Sequence, residues 1–105
     1  NTGGVTGVEQ DLNEGRNLPT GFALEQNYPN PFNPSTIISY AVPRSASVSL
    51  RIFNALGQEV ATLVNEQKEA GYHHVTWNAN VPSGIYFYRL KAGGYTETKK
   101  MLLIR

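Results

Sequence analysis

The chain has 105 residues, enough for one domain with a single core and little room for a second. Nine basic residues against eight acidic ones leave a formal net charge of +1, which gives no electrostatic reason to expect a nucleic-acid partner. There is no cysteine, which excludes disulfides and thiolate metal sites, and no apolar run approaches the roughly 18–20 residues of a membrane-spanning helix.

Residues 1–21 read as a flexible linker. Gly3, Gly4, Gly7, Gly15 and Pro19 interrupt them, and Val5, Val8, Leu12 and Leu18 follow neither helix nor strand period. Such a segment buries too little apolar surface to offset its backbone entropy. Residues 1–10 carry no basic start and no apolar stretch, so they are not a signal peptide. With no initiator Met either, we read the chain as a piece of a longer precursor.

From Phe22 the pattern changes to short β-type runs separated by turn residues. Phe22–Gln26 is a candidate first strand. Asn27–Pro34 contains three prolines, each removing a ladder donor, and is expected to be irregular. Ser35–Val42 predicts a strand with Ile38, Tyr40 and Val42 on one face. Val48, Leu50 and Ile52 alternate with Ser49, Arg51 and Phe53, the period of a half-buried strand. Ala55–Gln58 makes a tight turn in which Gly57 supplies positive φ, and Glu59–Val64 returns antiparallel. A helix over Glu59–Glu69 competes there, because Val60, Leu63 and Val64 also fit i, i+3, i+4 spacing. His73–Trp77, Ile85–Lys91 and Tyr95–Ile104 complete the set, with a Gly93-Gly94 hairpin between the last two. About seven short strands with regular turn signals predict an all-β fold, an immunoglobulin-like antiparallel β-sandwich over residues 22–105.

Candidate chemistry is thin. His73 and His74 are adjacent, so on a strand they point to opposite faces and cannot chelate one ion. Asn27, Asn30 and Asn33 offer carbonyl oxygens, but beside proline their expected role is turn chemistry. No nucleophile elbow or phosphate-cradling loop occurs, and the single aspartate, Asp11, lies in the linker. We therefore expect no enzyme activity, no metal and no cofactor. Trp77 is expected to plug the core between the sheets. Tyr86 and Tyr88 share a face, either as core or as the exposed platform of a carbohydrate-binding module. Lys99-Lys100-Met101-Leu102-Leu103-Ile104-Arg105 places an apolar strand with basic flanks at the end of the chain, expected to dock as an edge or penultimate strand that a partner could extend.

Several motifs together carry a family likeness. Leu24–Thr36 around Asn30-Pro31-Phe32-Asn33-Pro34, Val48–Asn54 with Leu56-Gly57-Gln58, Gly71–Asn78, Ser83–Leu90 and Thr98–Met101 resemble, in order and spacing, the type A C-terminal sorting domains of the type IX (Por) secretion system. The resemblance covers residues 22–105. It implies a sorting signal that directs a cargo protein through the periplasm and outer membrane for export and cell-surface attachment. The implied partners are the type IX translocon, a sortase-like surface protease that cuts in the linker, and a cargo domain fused on the N-terminal side. Direct membrane insertion is not implied. The family's signal lies in its last strands and carries over here to Lys99, Lys100, Met101, Leu102, Leu103, Ile104 and Arg105. The second reading is a carbohydrate-binding or spacer β-sandwich module of a secreted enzyme.

Overall fold

The computed structural model of the chain describes residues 18–105. The linker expected over 1–21 lies mostly outside the described residues. Among the described residues there are seven strands: β1 Ala23–Leu24, β2 Ser35–Val42, β3 Ala46–Asn54, β4 Glu59–Lys68, β5 Gly71–Asn78, β6 Gly84–Ala92 and β7 Tyr95–Leu103. They form a three-stranded sheet of order β1-β2-β5 and a four-stranded sheet of order β4-β3-β6-β7, all neighbours antiparallel. The chain changes sheet between β2 and β3, β4 and β5, and β5 and β6. This is the immunoglobulin-like sandwich expected from the strand pattern.

Strict alternation builds the core. On β3, Val48, Leu50 and Ile52 are buried while the residues between them face out. Leu50 sits directly opposite Leu90 of β6, and Ile52 opposite Tyr88, so two inward rungs run across the sheet. From the other sheet come Ile38, Tyr40, Val42 and Trp77. Burying each of these side chains is worth about 1.5–3 kcal/mol, the main force joining the sheets. Trp77 packs edge-on against Tyr86 at 5.8 Å and tilted against Phe32 at 5.8 Å. It plugs the space between the sheets.

Residues 59–68 are strand, so the competing helix is excluded. The helix-like spacing has a specific cause. The register of β4 against β3 slips at two places, opposite Leu50/Arg51 and opposite Ile52/Phe53. Each slip inserts one residue and resets the alternation, as a β-bulge does. Val60, Ala61, Leu63 and Val64 can therefore all lean toward the core from one strand. The bulges also twist this edge strand away from edge-to-edge pairing.

The β3–β4 hairpin turns where expected. Gly57 has φ 84°, and the Asn54 side-chain oxygen accepts from the amides of Leu56 and Gln58, both at 2.9 Å. His73 and His74 lie on opposite sides of β5. His73 stacks on Tyr40 at 5.3 Å, and its Nε2–H donates to the Glu69 carbonyl at 2.8 Å.

Candidate functional site

β7 is the edge strand of the four-stranded sheet, bonded on one side to β6. Its start is held by a cluster around the hairpin. Phe22 stacks on Tyr95 at 5.6 Å, and the Arg44 guanidinium lies over Phe22 at 5.2 Å. Gly93 has φ 59°, which favours glycine, and a side chain there would also crowd the Phe22 ring at 3.1 Å.

Alternation along β7 separates the predicted signal residues. Tyr95, Glu97, Lys99, Met101 and Leu103 take the core side, with Met101 and Leu103 fully buried. Thr96, Thr98, Lys100 and Leu102 take the outer side, where Lys100 is exposed and Leu102 half-buried. The half-buried Lys99 keeps its ammonium at the rim, 3.3 Å from Glu97. Glu97 also accepts a hydrogen bond from the Tyr95 hydroxyl. That hydroxyl, then Lys99, holds the Glu97 carboxyl below its ordinary range, while burial and the Glu97 bond push Tyr95 up to about 12.

Ile104 is exposed beyond the end of the strand. Arg105 turns onto another loop: its amide donates to Ser83 Oγ at 2.9 Å, and its guanidinium donates to the carbonyls of Val81 at 2.9 Å and Ala79 at 3.4 Å. The seven residues Lys99–Arg105 thus do not present one surface. Two are core, one fastens a loop, and Lys100 with Leu102 is what the strand itself shows to a partner.

The structure adds residues that sequence reasoning assigned to turn chemistry alone. The loop Asn27–Pro34 lies along the open edge of β7. The Phe32 amide donates to the Leu102 carbonyl at 3.0 Å, and the Ile104 amide donates to the Phe32 carbonyl at 2.9 Å. The Leu102 amide donates to Asn30 Oδ1 at 3.0 Å, and Gln26 Nε2 donates to the Lys100 carbonyl at 2.8 Å. Phe32 is 2 % exposed, buried beside Trp77. A lone phenylalanine inside a polar, proline-rich run was the available signal that this loop docks.

Asn27 anchors the loop from below. Its amide donates to the Tyr88 hydroxyl at 2.8 Å, and that hydroxyl donates to the Glu25 carbonyl at 2.7 Å. Its side chain donates to Thr36 Oγ1 at 2.9 Å and to the Pro29 carbonyl at 3.1 Å, the one local turn bond of the set.

The loop seals only part of the edge. Leu102 directs its backbone groups away from β6, and the two-residue repeat places those of Thr96 and Thr98 on the same side. The hydrogen bonds of Gln26 and the loop therefore reach β7 from Lys100 onward, while Phe22 stacks on Tyr95 at its start and β1 also packs against it.

The aromatics weighed for a glycan platform are spent elsewhere. Tyr86 and Tyr88 are both buried, and Tyr86 donates its hydroxyl to the Pro82 carbonyl at 2.7 Å.

A family model described as "Secretion system C-terminal sorting domain" matches residues 26–104. The matched span runs from the sealing loop through β7. No curated protein and no solved structure matches the chain.

Proposed function

The chain belongs to the family of secretion system C-terminal sorting domains, and from that premise we propose how it presents its signal. A domain of this family marks a cargo protein for the type IX secretion system, which carries it out of the cell to the surface or the medium. Interaction with that secretion system and with a cargo follows from membership.

The finer reading is that the translocon reads the outer side of β7 together with the loop that seals its edge. The exposure of Lys100 beside the buried Met101 and Leu103 carries this reading. The buried pair keeps the strand in the sheet, and the outer residues are read. The cargo is fused on the N-terminal side, and a sortase-like surface protease cuts ahead of the sandwich. The domain performs no catalysis in this scheme.

The test is export of a reporter fused ahead of residues 1–105 in a type IX-competent host. Lys100→Glu reverses an exposed charge and should cost no more than about 0.5 kcal/mol of stability. The expected result is a folded domain whose reporter accumulates in the periplasm. Normal export of Lys100→Glu would refute the reading.

A further inference from the structure

The outer face of the four-stranded sheet carries a pattern that the core does not require. The register sets Arg51 of β3 directly opposite Arg89 of β6, and Phe53 directly opposite Phe87. The same rows continue onto β7, where Arg89 faces Thr98, Phe87 faces Lys100, and Ile85 faces Leu102. Lys91, two residues beyond Arg89, extends the cationic side.

Like charges directly opposite in a sheet repel. Arg51 is relieved by Glu59, with N–O distances of 3.2 and 3.3 Å. Arg89 lies over the Phe53 ring at 4.6 Å and donates from Nε to Thr98 Oγ1 at 3.4 Å. Among the described residues Arg89, Lys91 and Lys100 have no carboxylate partner. The face therefore offers uncompensated positive charge around a half-buried aromatic row, with Ile85 38 % exposed at its end.

We propose that this face, with Arg51, Phe53, Phe87, Arg89, Lys91 and Lys100 at its centre, is a docking surface for a protein segment that alternates carboxylate and apolar side chains. The proposal rests on the sorting reading above and names the chemistry of the partner at the same site. Charge complementarity calls for carboxylates against Arg89, Lys91 and Lys100. The Phe53–Phe87 and Ile85–Leu102 rows call for apolar cover in the same segment. A polyanionic glycan would answer the charges and leave these rows wet.

The main experiment is the same export assay, read beside the thermal midpoint of each purified variant. Arg89→Glu exchanges the Phe53 and Thr98 contacts for an opposite pair with Arg51, so stability should change little while export falls at least about tenfold. Arg89→Lys keeps the charge and should restore most of the export. Wild-type export of Arg89→Glu, or a loss that follows a lowered midpoint, would overturn the proposal. If Lys100→Glu blocks export and Arg89→Glu does not, this inference fails while the sorting reading stands. If neither reversal matters, that reading fails as well.

The occupant is tested by NMR titration of residues 1–105 with a peptide of alternating Glu and Val, and a Lys/Val peptide as control. Amide shifts are expected at 51–53, 85–91 and 96–102 with the acidic peptide only. Shifts elsewhere, or none, count against it. Retention on alginate or heparin columns at physiological salt, abolished by Arg89→Glu, would reassign the face to an acidic polysaccharide and overturn the protein occupant.

Discussion

Replacing Phe32 by alanine tests whether the proline-rich loop is part of the folded unit or merely lies over it. Phe32 is 2 % exposed and packs its ring against Trp77 at 5.8 Å. Deleting a buried phenylalanine side chain costs about 3–5 kcal/mol in lost burial and residual cavity. The lost aromatic pairing accounts for roughly 0.5–1.5 kcal/mol beyond area alone. A domain of this size has a stability of about 5–10 kcal/mol, so the variant should stay folded but weakened. Urea unfolding reads the loss directly. With a slope of roughly 1–2 kcal/mol/M, the midpoint should fall by about 1.5–5 M.

Hydrogen exchange then localises the damage. The Leu102 and Ile104 amides are bonded to Asn30 and to the Phe32 carbonyl, whereas the Tyr88 and Lys99 residues are paired within the sheet. The first pair should lose protection beyond the global change, because the loop opens before the sheet does. A loss below about 1.5 kcal/mol would mean that the ring is not the anchor its burial implies. Exchange at Leu102 and Ile104 rising only in step with the ladder amides would refute the view that the loop seals this edge.

Burial pushes Tyr88 up from 10.0 to about 12. Between those values the unfolded chain has lost the phenolic proton and the folded one keeps it, so stability falls as pH rises through this window. Tyr88→Phe should flatten that fall in a series of thermal midpoints, only partly because Tyr95 is raised in the same direction, and should cost about 1–2 kcal/mol near neutrality by leaving the Asn27 amide without its acceptor. Parallel curves for the two proteins above pH 9 would refute the assignment. Gly57→Ala, at φ 84° with open space around the new methyl, should lose roughly 1 kcal/mol through backbone strain alone, whereas Gly94→Ala, also in open space and without that φ, should stay within about 0.5 kcal/mol. Equal thermal midpoints for the two would count against the turn geometry.

Local pattern was enough for most of the fold. Two-residue alternation at Val48, Leu50 and Ile52 and at Tyr86, Tyr88 and Leu90 named the strands and which residues share a face, because side-chain direction in a strand depends only on position parity; that the Tyr86–Tyr88 face is core came from the packed structure. Gly57 marked its own turn, since few other residues tolerate that φ. The ordered motifs were enough to point to a sorting domain, and the family match over residues 26–104 bears that out.

Two features depended on partners that no local pattern names. The bulges of β4 arise from its register against β3, a property of the pair, and this is why Val60, Leu63 and Val64 imitated a helix. The sealing of β7 joins Asn30 and Phe32 to Leu102, and Gln26 to Lys100, across some seventy positions of chain. Parity placed Lys99 and Lys100 on opposite sides of the strand. Only the packed sandwich decided that Lys100 faces solvent, that Arg105 turns to the Ala79–Val81 loop, and that Arg51 meets Arg89 across the sheet. Strand direction is a local backbone property, whereas register, edge cover and which face meets water depend on partners distant in sequence.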